Sequence, residues 1–333
     1  MPLPAGDVIG ILADNLRLRR SVLPLPAKVA TEWTVGLDLP RGGDTVLYTG
    51  LMYQLIPYIN GLVKAETRLG DSWLAGWTGL GRRVNRLVNL SAFMARPSAS
   101  DRARFNQVPV NVVHLLRHVG VEFGSLYEDD LYSGALAYDL GLDEVVAAHA
   151  RRVQATLRKH RVRTLITIDP HTTAMLREVY PKVLDDFDVE VRSYLEVLVE
   201  HGFAPASAAG LVSSDDFSSS PTPDLVMHDS CVFARYAGVV DEPRRLLAAS
   251  GISFREPEYA GRQTWCCGGP VESLYPAKAA ANAEKRVAQL RAAGSEAVTM
   301  CPMCFVNLSS AAGSSLRVTD ISFYLRDACT SHS

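Results

Sequence analysis

Short apolar runs alternate with longer amphipathic stretches along this chain. Runs rich in β-branched and aliphatic residues predict buried strands at 45–49, 164–168, 225–228 and 297–300. Apolar residues at helical spacing predict helices at 7–20, 109–120, 142–159, 173–180, 244–251 and 277–293. This alternation predicts an α/β fold with mostly parallel sheets that are flanked by helices.

The order of elements repeats within the chain. In each half, a helix leads into a strand, a turn that contains Pro170 or Pro302, and a further helix. The repeat predicts an internal duplication and therefore two pseudo-equivalent Rossmann-like lobes. The predicted division is an N-terminal helical segment at 1–42, a first lobe at 43–205, a polar linker at 206–223 and a second lobe at 224–333.

The first lobe contains a predicted helical insertion at 52–96, in which Trp73 and Trp77 contribute to an apolar face. Core packing is the default interpretation of these tryptophans. Because tryptophan and arginine are enriched at protein interfaces, a docking surface for a partner subunit is the alternative.

Composition narrows the class of protein. At 333 residues the chain can form two domains, and its formal net charge of −2 gives no sign of nucleic-acid binding. The first residues lack the basic and apolar regions of a signal peptide, and no apolar run is long enough to span a membrane. We therefore expect a cytoplasmic protein that associates with a membrane, if at all, through its partners.

Five of the six cysteines lie in one stretch, grouped as one, two and two. The candidate metal, cofactor and catalytic residues are Cys231, Cys266, Cys267, Cys301 and Cys304. Thiolates suit zinc, copper(I) and iron–sulfur clusters. A tetrahedral zinc site and a cubane cluster each use about four ligands. Either one cysteine is spare, or the cluster is larger or less regular than a cubane.

The residues around these cysteines favour ligand roles. Pro302 fixes the backbone between Cys301 and Cys304, and Gly268 and Gly269 permit a sharp bend after the adjacent pair. A structural zinc site, or two disulfides with a free thiol, are the alternatives. Cys329 stands outside the group, and we expect it to be a bystander.

This pattern resembles the cysteine-rich CCG domain of the cluster-bearing CCG subunit of heterodisulfide reductase. The same domain occurs in iron–sulfur subunits of glycolate and lactate oxidases. The flanking residues 228–231 and 238–245 also look like the family's first-cysteine segment, and the resemblance covers 222–325. It implies that the five cysteines hold a [4Fe–4S] cluster of the non-cubane type. His228 could donate a hydrogen bond to a cluster sulfur or support the loop, and we favour loop support.

The same resemblance indicates where the first lobe has lost its ligands. The five replaced positions are Leu51, Tyr132, Ser133, Asp169 and Thr172. We expect no iron–sulfur cluster in this lobe, because only Asp169 offers a charged ligand. Asp169 and nearby His171 could bind a metal weakly, but one carboxylate and one imidazole do not complete a site. The lobe is expected to be a scaffold that covers one side of the cluster.

The resemblance implies an oxidoreductase subunit of a heterodisulfide-reductase-like complex. Its cluster would exchange electrons with a thiol, disulfide, sulfur or sulfur-carrier substrate. One alternative is the electron-transfer subunit of a flavin-dependent 2-hydroxy-acid oxidase, and another is a zinc-binding assembly subunit. No cysteine precedes Cys231 to relay electrons within the chain. We therefore expect a ferredoxin-like iron–sulfur subunit or a flavin-containing subunit as the partner.

Overall fold

The structure, a computed structural model, describes residues 5–69, 97–205, 224–269, 272 and 274–330. The chain divides into two units. Unit 1 comprises Met1–Val110 and Phe123–Val191, and unit 2 comprises Asn111–Glu122 and Arg192–Ser333. Trp73, Trp77 and the predicted linker at 206–223 lie outside the described residues, so the proposed docking face stays a prediction, as do the lobe boundaries.

Unit 1 is built on a four-stranded sheet. Its strands are β1 (Thr45–Tyr48), β2 (Gly124–Ser125), β3 (Thr164–Thr167) and β4 (Glu190–Ser193), in the order β2-β1-β3-β4. Strand β1 pairs in parallel with both β2 and β3. Side chains of β1 and β3 are buried, as expected for a parallel sheet that helices cover on both faces.

Unit 2 contains a three-stranded sheet. Its strands are β5 (Leu225–Met227), β6 (Glu296–Thr299) and β7 (Arg317–Asp320), in the order β5-β6-β7, and both pairings are parallel. Each strand leads into a helical segment, as β1, β3 and β4 do in unit 1. The predicted α/β class with parallel sheets flanked by helices is confirmed. The likeness of the two strand orders fits an internal duplication, which stays a prediction.

Helices account for most of the remaining described residues. They are Ala5–Arg19, Ala27–Ala30, Met52–Leu69, Ala99–His118, Ala135–Asp139, Asp143–Lys159, Pro170–Ala174, Tyr180–Val183, Tyr194–Glu200, Asp241–Ala249, Pro276–Ala293, Pro302–Ala312 and Ile321–Thr330. Two π-helical segments, Met175–Val179 and Phe233–Ala237, follow strands β3 and β5. Among the described helices, none has the length and apolar character needed to cross a membrane.

Proline produced two errors in the helix predictions. The helix predicted at 109–120 begins at Ala99, because its polar first turns are capped by Ser98 Oγ, which accepts from the N–H of Asp101 at 3.0 Å. Pro109 therefore lies inside the helix. Pro181 does not end the helical run either, since it occupies the first turn of Tyr180–Val183, where a missing N–H is tolerated.

Candidate metal centre

The ends of β5 and β6 deliver three of the candidate cysteines. Cys231 follows β5 and begins the helical turn that continues as the π-helix Phe233–Ala237. Cys301 follows β6 as the N-cap of the helix Pro302–Ala312, and Cys304 lies in that helix's first turn. Because β5 and β6 are adjacent and parallel, these residues meet at the carboxyl edge of the sheet, where α/β proteins bind ligands.

The adjacent pair, Cys266 and Cys267, comes from the loop before the helix Pro276–Ala293. Gly268 has a φ of 85°, and a Cβ placed on it would lie 2.5 Å from the carbonyl oxygen of Ala279. Only glycine fits there, because both the backbone conformation and the space exclude a side chain. The N–H of Gly268 donates to Cys266 Sγ at 3.3 Å, so this bend also directs that sulfur.

The structure brings all five candidate thiols together. The Sγ atoms of Cys231 and Cys266 lie 3.8 Å apart, and those of Cys304 and Cys267 lie 3.3 Å apart. Cys266 also contacts Cys267, and Cys304 contacts Cys301, so the thiols form one continuous series. All six cysteines are unbridged, and Cys329 lies elsewhere, in the helix Ile321–Thr330.

Crowding changes the acidity of these thiols in opposite directions. S–H donation from Cys231, and then from Cys267, lowers the pKa of Cys266. Hydrogen bonding to neighbouring cysteines, with burial added, raises the pKa of Cys231 and of Cys304. Five adjacent thiolates therefore require positive charge between them. Iron ions of a cluster supply that charge, so the donor set fits such a group.

The arrangement of the sulfurs favours a cluster over a single ion. Within the described part of the chain, no three His, Cys, Asp or Glu side chains are grouped so that one metal ion could be held. The sulfurs instead follow one another in a series of contacts. Such a series suits a group of several metal atoms, each bound by different thiolates.

Solvent reaches this site from one side. Cys231 and Cys266 are half-buried, whereas Cys267, Cys301 and Cys304 are buried. The first two cysteines therefore mark the edge at which a substrate or a partner can approach. At the buried edge, the N-terminus of the helix Pro302–Ala312 points its dipole at Cys301 and Cys304, which favours negative charge there.

An ion-pair network fixes the loop that carries Cys231. Arg244 donates from Nη1 to Asp229 Oδ1 at 2.7 Å and from Nη2 to Asp229 Oδ2 at 2.9 Å, and it also binds Glu256. Burial alone would raise the pKa of Asp229, but the hydrogen bonds and charge of Arg244 outweigh it and lower that pKa. Asp229 also accepts from the N–H of Gly261 at 2.7 Å. The network thus joins the segments before and after the helix Asp241–Ala249.

A second arginine, Arg286, lies entirely buried beneath the cysteines. Its Nε donates to His228 Nδ1 at 3.0 Å, its Nη1 donates to the carbonyl of Glu258 at 2.9 Å, and its Nη2 reaches Thr264 Oγ1 at 3.4 Å. Burial lowers the pKa of Arg286 to about 10, so the guanidinium remains charged at neutral pH. Burial, and then the charge of Arg286, lower the pKa of His228 to about 3.

Sequence analysis missed Arg286, although a signal was present. The buried face of the helix Pro276–Ala293 carries Ala279, Ala283, Val287 and Leu290. Arg286 lies within this apolar face, where a charged side chain needs buried partners. A basic residue at an apolar position of an amphipathic helix is therefore a usable sign of a buried network.

The replaced positions of the first lobe serve structural contacts. Asp169 caps the helix Pro170–Ala174 by accepting from the N–H of Thr172 at 2.9 Å, and Thr172 packs directly against Gly50. The hydroxyl of Tyr132 accepts from a backbone N–H at 2.8 Å. The carbonyl of Ser133 accepts from a tyrosine hydroxyl at 3.0 Å. Leu51 is buried at the end of β1.

Comparison with known sequences agrees with this geometry. Residues 225–309, which include all five grouped cysteines, match the cysteine-rich domain family CCG. The second half of the chain contains a CCG domain. This match confirms the resemblance that the cysteine pattern indicated.

Three relatives extend the likeness beyond the CCG domain. The chain is 28% identical over 214 residues to the EtfAB:quinone oxidoreductase of Syntrophomonas wolfei (60% of this chain, 28% of the relative). It is 30% identical over 168 residues to the probable iron-sulfur-binding oxidoreductase FadF of Bacillus subtilis (50% and 22%). It is 26% identical over 218 residues to a subunit of the dihydromethanophenazine:CoB–CoM heterodisulfide reductase of Methanosarcina mazei (62% and 51%). The chain spans roughly a quarter to a half of the length of these relatives.

Proposed function

We propose that this CCG protein is an iron–sulfur electron-transfer subunit of a heterodisulfide-reductase-like complex. The observation that carries the proposal is the continuous series of five thiols at the carboxyl edge of the β5–β6 sheet. Bound there, a [4Fe–4S] cluster would supply one-electron chemistry. The proposed ligands are Cys231, Cys266, Cys267, Cys301 and Cys304.

The protein's own residues would prepare this site for electron transfer. Buried Cys301 and Cys304 anchor the site at the dipole of a helix N-terminus, which stabilises negative charge. The half-buried edge at Cys231 and Cys266 gives access to a thiol, a disulfide or the cofactor of a partner. Arg244 and Arg286 hold the ligand loops in place, so that little rearrangement accompanies a change of charge.

Metal analysis tests this proposal directly. Protein purified without oxygen should contain about four iron atoms per chain, equivalent sulfide and negligible zinc. Reduction should produce a paramagnetic resonance signal from the cluster. One equivalent of zinc without iron would instead support the zinc-binding assembly subunit. The number of thiols argues against the zinc alternative, because a tetrahedral zinc site leaves one of five cysteines unused.

A relay toward quinone is the second candidate function. The similarity to an EtfAB:quinone oxidoreductase favours it. It corresponds to the electron-transfer role expected beside a flavin-dependent 2-hydroxy-acid oxidase. Rates of cluster oxidation separate the two candidates. Faster oxidation by a mixed disulfide supports the heterodisulfide-reductase-like role, and faster oxidation by a soluble quinone supports the relay.

A further inference from the structure

The hydrogen bonds of His228 fix which of its ring nitrogens carries the proton. Arg286 donates from Nε to His228 Nδ1 at 3.0 Å. A guanidinium has only donors, so Nδ1 must accept and cannot carry a proton. The neutral ring therefore has its proton on Nε2. Arg286 cannot turn away, because Nη1 also donates to Glu258, Tyr259 and Gln289.

The Nε2–H group of His228 has no acceptor among the described residues. The side chain is only 1% exposed, so bulk water does not provide one. A buried donor without a partner is unfavourable, and native proteins rarely leave one. The neighbouring Ser230 Oγ is also buried without a partner in the described part of the chain. Both residues lie in the segment that leads from β5 to Cys231.

The position of His228 indicates where the missing acceptor belongs. The Cys266 thiol lies close enough for the charges of the two groups to influence each other's pKa. Thr264, two residues before Cys266, binds the same guanidinium as His228. Nε2 is thus the free end of a buried chain that begins at Arg286 and ends beside the thiols.

We propose that His228 donates a hydrogen bond from Nε2 to a sulfur of the bound iron–sulfur cluster, and that Arg286 positions it. This inference rests on the proposed function. A hydrogen bond to a cluster sulfur stabilises the reduced state, which carries more negative charge. His228 would therefore raise the reduction potential. Loop support, which the sequence favoured for this residue, is provided through Nδ1, while Nε2 serves the cluster.

Two substitutions and one matched control test the inference on the complete, cluster-loaded protein. His228→Leu removes the donor, whereas His228→Gln keeps a side-chain N–H. His149→Leu removes a histidine from unit 1 that is similarly buried, at 2% exposed. Iron content is measured first, and the midpoint potential is then determined by titration with resonance detection.

The expected result is a lower midpoint potential for His228→Leu, partial recovery for His228→Gln and no change for His149→Leu. Arg286→Lys should also lower the potential, because a lysine ammonium cannot hold the imidazole and the loop carbonyls together. If His228→Leu binds a full complement of iron at the wild-type potential, the inference is wrong and the proposed function stands. If the wild-type protein contains no iron, both are wrong.

A measurement on the unmodified protein keeps the inference testable if His228→Leu fails to fold. Protein labelled with ¹⁵N at histidine should show a nitrogen coupling to the reduced cluster in pulsed paramagnetic resonance. Exchange into D₂O should reveal one exchangeable proton coupled to the same cluster. Absence of both couplings in cluster-loaded protein would refute the hydrogen bond.

Discussion

At the residue scale, the five grouped cysteines differ from Cys329 in their surroundings. The five contact one another, whereas the pKa of Cys329 responds to its own burial and to Arg326. We predict that serine at any of the five positions changes the cluster spectrum and lowers the iron content. Cys329→Ser, the matched control, should change neither. The measurements are visible absorption and iron per chain.

The adjacent pair distinguishes between cluster types. Cys266 is half-buried and Cys267 is buried, yet both lie within the series of thiols. If both are ligands, Cys266→Ser and Cys267→Ser must each alter the spectrum, and a five-cysteine, non-cubane cluster is supported. A normal spectrum in either variant would mean that four cysteines suffice, and the non-cubane assignment would be wrong.

Gly268 should be indispensable to the loop that carries this pair. An added Cβ would meet the backbone of Ala279, which cannot move without shifting the helix Pro276–Ala293. Gly251 provides a control with a similar φ of 70° and nothing within 4 Å of an added Cβ. Gly251→Ala should cost about 1–2 kcal/mol of unfolding free energy, from the left-handed conformation alone. Gly268→Ala should cost more and should prevent cluster binding, and equal losses would contradict this account.

The sequence predicted the cysteines because their signal is local, but it did not predict the partners of Asp229 and His228. Arg244 and Arg286 are distant from them in the chain and meet them only through the fold. Residue type and spacing indicate which groups can bind a metal. They do not indicate which groups hold those ligands in place.

At the element scale, the bidentate ion pair between Arg244 and Asp229 joins the β5 loop to the helix Asp241–Ala249. Asp229 is 3% exposed and Arg244 is 19% exposed, so removal of one partner leaves a buried charge. We predict that Arg244→Met lowers the unfolding free energy by about 3 kcal/mol. The exposed pair Arg158–Asp186 supplies the control. Arg158→Met should have little effect in the same urea titration, because solvent screens that pair.

Element predictions succeeded where apolar runs were long and failed where strands were short. Strands β4 and β7 were not predicted. In β4 (Glu190–Ser193), exposed Glu190 and partly exposed Arg192 alternate with buried Val191 and Ser193, which leaves too few apolar residues for a local signal. The π-helical segment Phe233–Ala237 was also missed, because its wider turn depends on packing near the cysteines rather than on propensity.

At the scale of the whole molecule, unit 1 contributes a pH-dependent term to stability. His149 in the helix Asp143–Lys159 is buried, and its Nε2 lies 2.6 Å from the carbonyl oxygen of Tyr132. Burial, with smaller effects of Arg152 and Arg20, lowers its pKa to about 4. The unfolded chain binds this proton below about pH 6.5. Stability is therefore complete above pH 6.5 and falls as the pH drops toward 4.

The His149→Gln variant tests this linkage, since glutamine can still donate to Tyr132. The pH dependence of its unfolding free energy should be flatter than that of wild type between pH 6.5 and 4. The difference in slope should not exceed about 1.4 kcal/mol per pH unit. Parallel curves for the two proteins would show that His149 is protonated equally in the folded and unfolded states.

The whole molecule should work within a complex and show little turnover alone. Electrons need a donor and an acceptor close to the cluster, and all five grouped cysteines belong to one site. The half-buried edge at Cys231 and Cys266 is where a ferredoxin-like or flavin-containing subunit would dock. The match of this chain to only part of longer oxidoreductases agrees with a division of labour among subunits. Native mass after gentle purification from the source cell should exceed that of the monomer and should include such a subunit. Separation of the partner should abolish disulfide or dye reduction, and its return should restore it. A monomer that sustains rapid NAD(P)H- or quinone-dependent turnover by itself would overturn the prediction, because its single thiolate site would then be sufficient for the whole electron path.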